Sequence, residues 1–155
     1  MPHARLALAV ITGALVALAP SSAVGDYDGN YSLGYSATLL GSSEVASNGA
    51  RGVGDRDGRG GATLVVDGNK FCYGIVVTRI GTPVAAHLHR GVTGRNGPIV
   101  IPFLAPRLGN LGASSGCLTI SRTLADQIRR NPGGFYVNVH TAAFRGGAVR
   151  GQLRR

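Results

Sequence analysis

The chain has 155 residues, with 16 Lys+Arg against 7 Asp+Glu, a formal net charge of +9, and only 6% aromatic residues. An excess of cations favours contact with anionic surfaces through long-range electrostatics. With few aromatic side chains to stack on bases and no DNA- or RNA-binding motif, the composition argues against nucleic-acid recognition.

The first segment reads as an address. Met1 to Arg5 supplies a short basic region, Leu6 to Leu18 an uncharged apolar run, and Ser21-Ser22-Ala23 a small-residue cleavage pattern, which together describe a secretory signal peptide over residues 1–23. The apolar run is shorter than the ~20 residues a membrane-crossing helix needs. The expected product is therefore secreted and extracellular, with no membrane span. Losing residues 1–23 removes one arginine and no acid, which leaves a charge of +8 on one ordinary domain. A solvated surface that keeps the chain soluble is the simplest use of those scattered arginines.

Residues 24–30 form a polar leader, and a single β domain is expected over 31–155. Tyr31 to Leu39 alternates apolar and polar residues and reads as a half-buried strand. Ser42 to Gly61 is glycine-rich and charged, and reads as a long mobile loop. Ala62 to Val66 and Lys70 to Arg79 form a hairpin around Asp67-Gly68-Asn69. Pro83 opens the next strand, which carries Ala86-His87-Leu88-His89, and Gly94 to Pro98 turns the chain into Ile99 to Phe103. Pro102 restricts that run to an edge or a bulge, because it cannot donate a ladder hydrogen bond. Gly109 to Gly116 reads as a loop and Cys117 to Ile120 as a short strand. One helix is expected over Thr123 to Arg130, with Thr123 and Asp126 spaced as in a capping box and Asn131-Pro132-Gly133-Gly134 as its stop. Phe135 to Thr141 and Ala148 to Leu153 complete the strands. Many short strands with glycine turns predict an all-β fold, a Greek-key sandwich or barrel of immunoglobulin-like or superoxide-dismutase-like form with one short helix.

Several motifs occur together and in order: His87-Leu88-His89-Arg90-Gly91, Gly94-Arg95-Asn96-Gly97-Pro98-Ile99-Val100, Asn131-Pro132, Tyr136 to Thr141, and Gly146 to Leu153. With Ser36 to Leu39 and Glu44-Val45 before them, they resemble the CHRD domain from about Tyr31 to Leu153. That module is named from the secreted antagonist chordin and also occurs in bacterial exported proteins. Many members carry prolines after the Glu-Val, where this chain has Ala46-Ser47. The resemblance implies an extracellular interaction setting and no defined chemistry.

Cys72 and Cys117 fall on or beside expected strands of an exported chain, where oxidising conditions favour a disulfide. A thiolate metal site or a cysteine nucleophile would need a nearby Cys-x-x-Cys or an acid–histidine pair, and neither is present.

Side chains on a strand alternate faces, so His87 and His89 point the same way while Leu88 enters the core. By the same rule Val137 and Val139 take the core side, leaving Tyr136, Asn138 and His140 on the opposite face. The fourth histidine, His3, lies in the signal segment. Two histidines at i, i+2 with a third on a nearby strand are a candidate ligand set for copper or zinc, with Asn138 and Tyr136 in support. Superoxide dismutases place a His-x-His on a strand of a β barrel in a locally similar way, but their bridging histidine and zinc aspartate have no counterpart here. The simpler alternative is a structural cluster of hydrogen-bonded histidines.

Asp26-Tyr27-Asp28-Gly29 and Asp55-Arg56-Asp57-Gly58 put carboxylates two apart, as calcium loops do. Neither fits the calcium-loop spacing, and turn chemistry accounts for both. The acids, Asp26, Asp28, Glu44, Asp55, Asp57, Asp67 and Asp126, are all remote in sequence from the histidine strands. No nucleophile elbow, phosphate loop or dinucleotide fingerprint appears, so no catalytic activity is expected. The leading reading is a secreted binding or structural module whose partner is an extracellular protein or an anionic envelope component. The alternative is an exported copper- or zinc-binding protein that uses His87, His89 and His140, with superoxide-dismutase-like activity as its extension.

Overall fold

The computed structural model describes residues 33–109 and 112–155. The signal segment, the polar leader, the Asp26–Asp28 pair and the first residues of the first strand lie outside the described residues. Eight strands are formed: β1 (Leu33–Leu40), β2 (Arg59–Asp67), β3 (Lys70–Thr78), β4 (Pro83–Arg90), β5 (Ile99–Phe103), β6 (Ala113–Thr119), β7 (Phe135–Thr141) and β8 (Val149–Gln152). The helix α1 (Arg122–Arg130) sits between β6 and β7.

All strand pairs are antiparallel, and the sheet runs β5-β4-β7-β8-β1-β2-β3-β6. The connections β3 to β4 and β6 to β7 both cross between the two halves of this order, which is Greek-key topology. The seam between the terminal strands is filled by side chains. The Tyr73 ring packs at 4.3 Å from that of Phe103, and its hydroxyl accepts a hydrogen bond from the Leu104 N–H at 3.0 Å. The result is the expected all-β architecture, a nearly closed barrel.

Alternation decides what the barrel contains. Tyr35, Ala37 and Leu39 of β1, Ala62, Leu64 and Val66 of β2, and Phe71, Tyr73, Ile75 and Val77 of β3 all point inward and are buried. Leu88, Ile101, Val137 and Leu153 meet them from the other half, and α1 packs Ala125 and Ile128 onto the same core. Each aliphatic side chain fully buried here contributes roughly 1.5–3 kcal/mol relative to exposure. Pro102 occupies the edge strand β5 opposite His87, where its missing N–H costs no ladder bond, and the β4–β5 register slips farther along, between Leu88 and His89.

Three local expectations are corrected. The segment 42–61 is folded against the sheet: Glu44 and Val45 are buried, and the Asp55 N–H donates to the Ala148 carbonyl. Its glycines allow close backbone packing rather than mobility. Helix α1 begins one residue earlier than its spacing suggested, capped by Ser121, whose hydroxyl accepts from the Leu124 N–H. Asp126 instead pairs with Arg129 and Arg130. Finally, β6 starts at Ala113, because pairing with β3 overrides the weak strand tendency of Ser114-Ser115-Gly116.

Cys72 and Cys117 stand directly opposite each other on β3 and the edge strand β6 and are disulfide-bonded, with a sequence separation of 45. Closing a loop of that size removes unfolded-state entropy worth about 4 kcal/mol. Replacing both cysteines by serine should lower stability by about that amount in urea unfolding, and the native protein should show no free thiol on alkylation. Two alkylatable cysteines in the native protein would contradict this.

Candidate metal centre

The three histidines are brought together by the pairing of β4 with β7. His87 is registered with Asn138, His89 with Tyr136 and Ala85 with His140. The outward faces of both strands therefore merge into one surface. Opposite His140 stands only the methyl group of Ala85, and the His140 ring meets His87 diagonally, with ring centres 5.0 Å apart. His89 lies 5.5 Å from His87 and 6.4 Å from His140. One ligating nitrogen from each ring falls within 4.8 Å of the others. A metal bound at ~2.0–2.1 Å holds its nitrogens ~3–4 Å apart, so small side-chain adjustments suffice.

The hydrogen bonds fix which nitrogens face inward. His89 Nδ1 lies 2.9 Å from the Gly97 carbonyl, and His140 Nδ1 lies 2.9 Å from the Arg145 carbonyl. A carbonyl only accepts, so both Nδ1 atoms carry the proton. In the neutral rings each Nε2 is then left with a free lone pair. For His89 that Nε2 is buried and has no partner. His140 Nε2 lies 3.1 Å from His87 Nδ1, which donates to it. Such outer hydrogen bonds from ring N–H groups to carbonyls are what orient imidazoles around metals.

Burial keeps the cluster neutral. Desolvation, followed by the neighbouring His140 and His89, pushes His87 down from 6.5 to about 4. His89 and His140 are also lowered, in both cases chiefly by burial. Neutral imidazole is the form that ligates.

The outward face of this half of the barrel is covered, a point that strand alternation alone does not reveal. Tyr136 and Asn138 are buried, not exposed. Tyr136 stacks on His89, with centroids 4.8 Å apart and planes inclined by 6°, and the guanidinium of Arg150 lies 3.4 Å over the Tyr136 ring. Arg150 is 2% exposed and donates to the Asn96 side chain and to the carbonyls of Val92 and Arg95. Asn96 in turn donates to the carbonyls of Val45 and Ala46. Gly97 belongs to the same loop, and any Cβ there would collide with the Arg90 carbonyl at 1.7 Å. Only glycine lets this loop deliver its carbonyl to His89.

Glu44 is the acid that folding brings to this layer. Its carboxylate accepts from Asn138 Nδ2 at 3.1 Å, and a Cβ at Gly147 would fall 2.4 Å from it. Gly147 also holds φ +142, which excludes other residues twice over. Burial pushes Glu44 up from 4.5 to about 7, with Arg150 and the Asn138 hydrogen bond opposing. Among the described residues no other group of three histidine, cysteine or acidic side chains is assembled as a metal site. Asp55 and Asp57 sit near each other, and among the described residues no third carboxylate joins them.

A family model, CHRD domain, matches residues 35–153. No curated protein and no solved structure matches the chain.

The two kinds of buried group act oppositely on stability. Glu44 has a raised folded pKa, so its contribution is present below its ordinary 4.5 and is lost as pH rises through about 7. His87 has a depressed folded pKa, so its contribution is present above 6.5 and is lost as pH falls through about 4. Glu44→Gln removes the first effect and leaves the second. In urea unfolding the variant should gain on the wild type between pH 5 and pH 8, by on the order of 2–3 kcal/mol. Parallel pH profiles for the two proteins would show that Glu44 ionises as freely folded as unfolded.

Proposed function

The chain belongs to the CHRD domain family, and from that premise we propose that it is an exported binding module whose ligand is a divalent transition metal, copper or zinc, held by His87, His89 and His140. The observation that carries this reading is the pair of inward Nε2 lone pairs on His89 and His140, each created by an Nδ1–H bond to a main-chain carbonyl. A purely structural cluster gains nothing from a buried acceptor without a donor, which costs about 1–3 kcal/mol, yet His89 Nε2 is such an acceptor. A metal ion supplies the missing partner. Imidazole nitrogen suits both copper and zinc.

His87 completes the set by exchanging tautomers. It donates from Nδ1 to His140 in the metal-free arrangement. With its proton on Nε2 instead, His87 would offer Nδ1 as a third ligand. Tyr136 holds the His89 ring by stacking, and Gly97 and Arg145 hold the ring planes through their carbonyls. These groups orient ligands, and none is poised as a nucleophile or general acid. The role proposed is therefore binding without catalysis. Export accords with the disulfide and with the signal-like first segment.

Titrating the full chain with Cu(II) or Zn(II) at pH 7 should show one ion per chain. At a free concentration near 100 Kd the metal should add about 2.7 kcal/mol of stability, which raises Tm by on the order of 10 °C. His140→Ala and His89→Ala should each abolish the rise relative to their own metal-free Tm. A rise that survives both variants, or the absence of any rise, would overturn the reading.

A further inference from the structure

A second concavity lies beside the loop layer, on the side of Arg150 away from the histidines, and its walls carry chemistry that metal binding does not use. Alternation along β8 and the residues after it puts Arg150, Gln152 and Arg154 on one outward face. There they flank β1, with Arg150 registered against Leu40 and Arg154 bridged to Ser36. The folded segment 41–51 forms the opposite wall and contributes Ser42, Ser43 and Arg51. The guanidinium of Arg51 lies against the backbone of Gly94, where a Cβ would fall 2.3 Å from it, and Thr93 closes that end. The cavity measures about 320 Å³, near the lower end of the ~300–1,000 Å³ typical of small-molecule sites.

Three guanidiniums and four hydroxyl side chains, those of Thr38, Ser42, Ser43 and Thr93, line this cavity, and no carboxylate does. Glu44 sits between two lining residues in sequence, but its carboxylate turns away to Asn138. Among the described residues the ion pairs are those of Asp126 with Arg129 and Arg130, so Arg51 and Arg154 have no acidic partner there. Arg150 is held in place by Asn96 and by the carbonyls of Val92 and Arg95. It therefore acts as a fixed positive charge, while Arg51 and Arg154 remain exposed and able to close on a ligand. Like charges gathered around a concavity repel one another, and a bound anion reverses the sign of that term.

We propose that this cavity binds a phosphate or sulfate monoester of a sugar. Arg51 and Arg154 would bracket the tetrahedral oxyanion in the bidentate manner guanidinium favours, and Ser42, Ser43 and Thr93 would meet the ester and sugar hydroxyls. The residues differ from the metal ligands, so either site can fail without the other.

The test is an amide and guanidinium NMR titration of the full chain with glucose 6-phosphate and glucose 6-sulfate in 0.15 M NaCl, with glucose as the uncharged control. Saturable shifts should appear at Arg51, Thr93, Gly94, Arg150 and Arg154 with both esters and be absent with glucose. A response to one ester alone would assign the ligand to that class. Arg51→Gln and Arg154→Gln, both at exposed positions, should each weaken binding about tenfold, the scale of one charge-assisted hydrogen bond, with Tm unchanged. Arg122→Gln, an exposed arginine on α1, should leave binding as it was. Non-saturating shifts spread over the surface arginines, or binding that ignores both pocket variants, would overturn the proposal.

Discussion

The buried guanidinium of Arg150 is the tie on which the outer half of the molecule depends. It sits on β8, stacks on Tyr136 of β7, and donates to the 92–96 loop through Asn96, Val92 and Arg95. Through Asn96 that loop grips the segment carrying Glu44 and Val45. A guanidinium has five donors in a rigid plane, so one side chain can satisfy several loop carbonyls while its face covers an aromatic ring. Without these bonds two polar loops would lie over the sheet with their carbonyls unpaired, at a cost that packing alone would not offset. Burial lowers the guanidinium's own pKa, while the nearby Glu44 and Tyr136 act in the opposite direction.

The histidine cluster inherits its order from this arrangement. Tyr136 is held between Arg150 on one face and His89 on the other, and its hydroxyl accepts the Gly97 N–H at 3.3 Å. Gly97 passes its own carbonyl to His89. The position of the His89 ring is thus set by a sandwich and a loop that both lead back to Arg150. His140 is fixed independently by the turn after β7, through the Arg145 carbonyl. Sheet register supplies proximity, and the two carbonyls supply the direction of the lone pairs.

The core and the shared face of the histidines were legible in the sequence, and the loops that cover that face were not. Alternation in Tyr35 to Leu39, Ala62 to Val66 and Phe71 to Val77 gives the core directly, and the same rule puts His87, His89, Tyr136, Asn138 and His140 on one surface. The cysteines follow from compartment and parity. Long-range pairing by loops has no periodic signature, and Glu44 gives no local sign that it will be buried 94 residues away from Asn138. The glycines that make this possible, Gly54 and Gly147, look in sequence like markers of mobility, whereas they admit the Glu44 side chain and the neighbouring backbone. One signal was available: the alternation of Val149, Arg150, Gly151, Gln152, Leu153 and Arg154 places two arginines on the outward face beside β1. Helix α1 is bounded by local signals at both ends, the Ser121 cap and the stop at Asn131-Pro132, and the cap lies two residues ahead of the Thr123 that the capping-box spacing pointed to.

The proposed metal site requires that His89 and His140 be neutral and protonated on Nδ1 in the metal-free protein, so that each Nε2 offers a lone pair. Long-range ¹H–¹⁵N correlation spectra of the histidine rings in metal-free protein at pH 7 test it most directly, because the nitrogen shifts report both charge and tautomer. The account predicts that His89 and His140 are uncharged and carry their proton on Nδ1. Rings that are doubly protonated, or that carry the proton on Nε2, would contradict it.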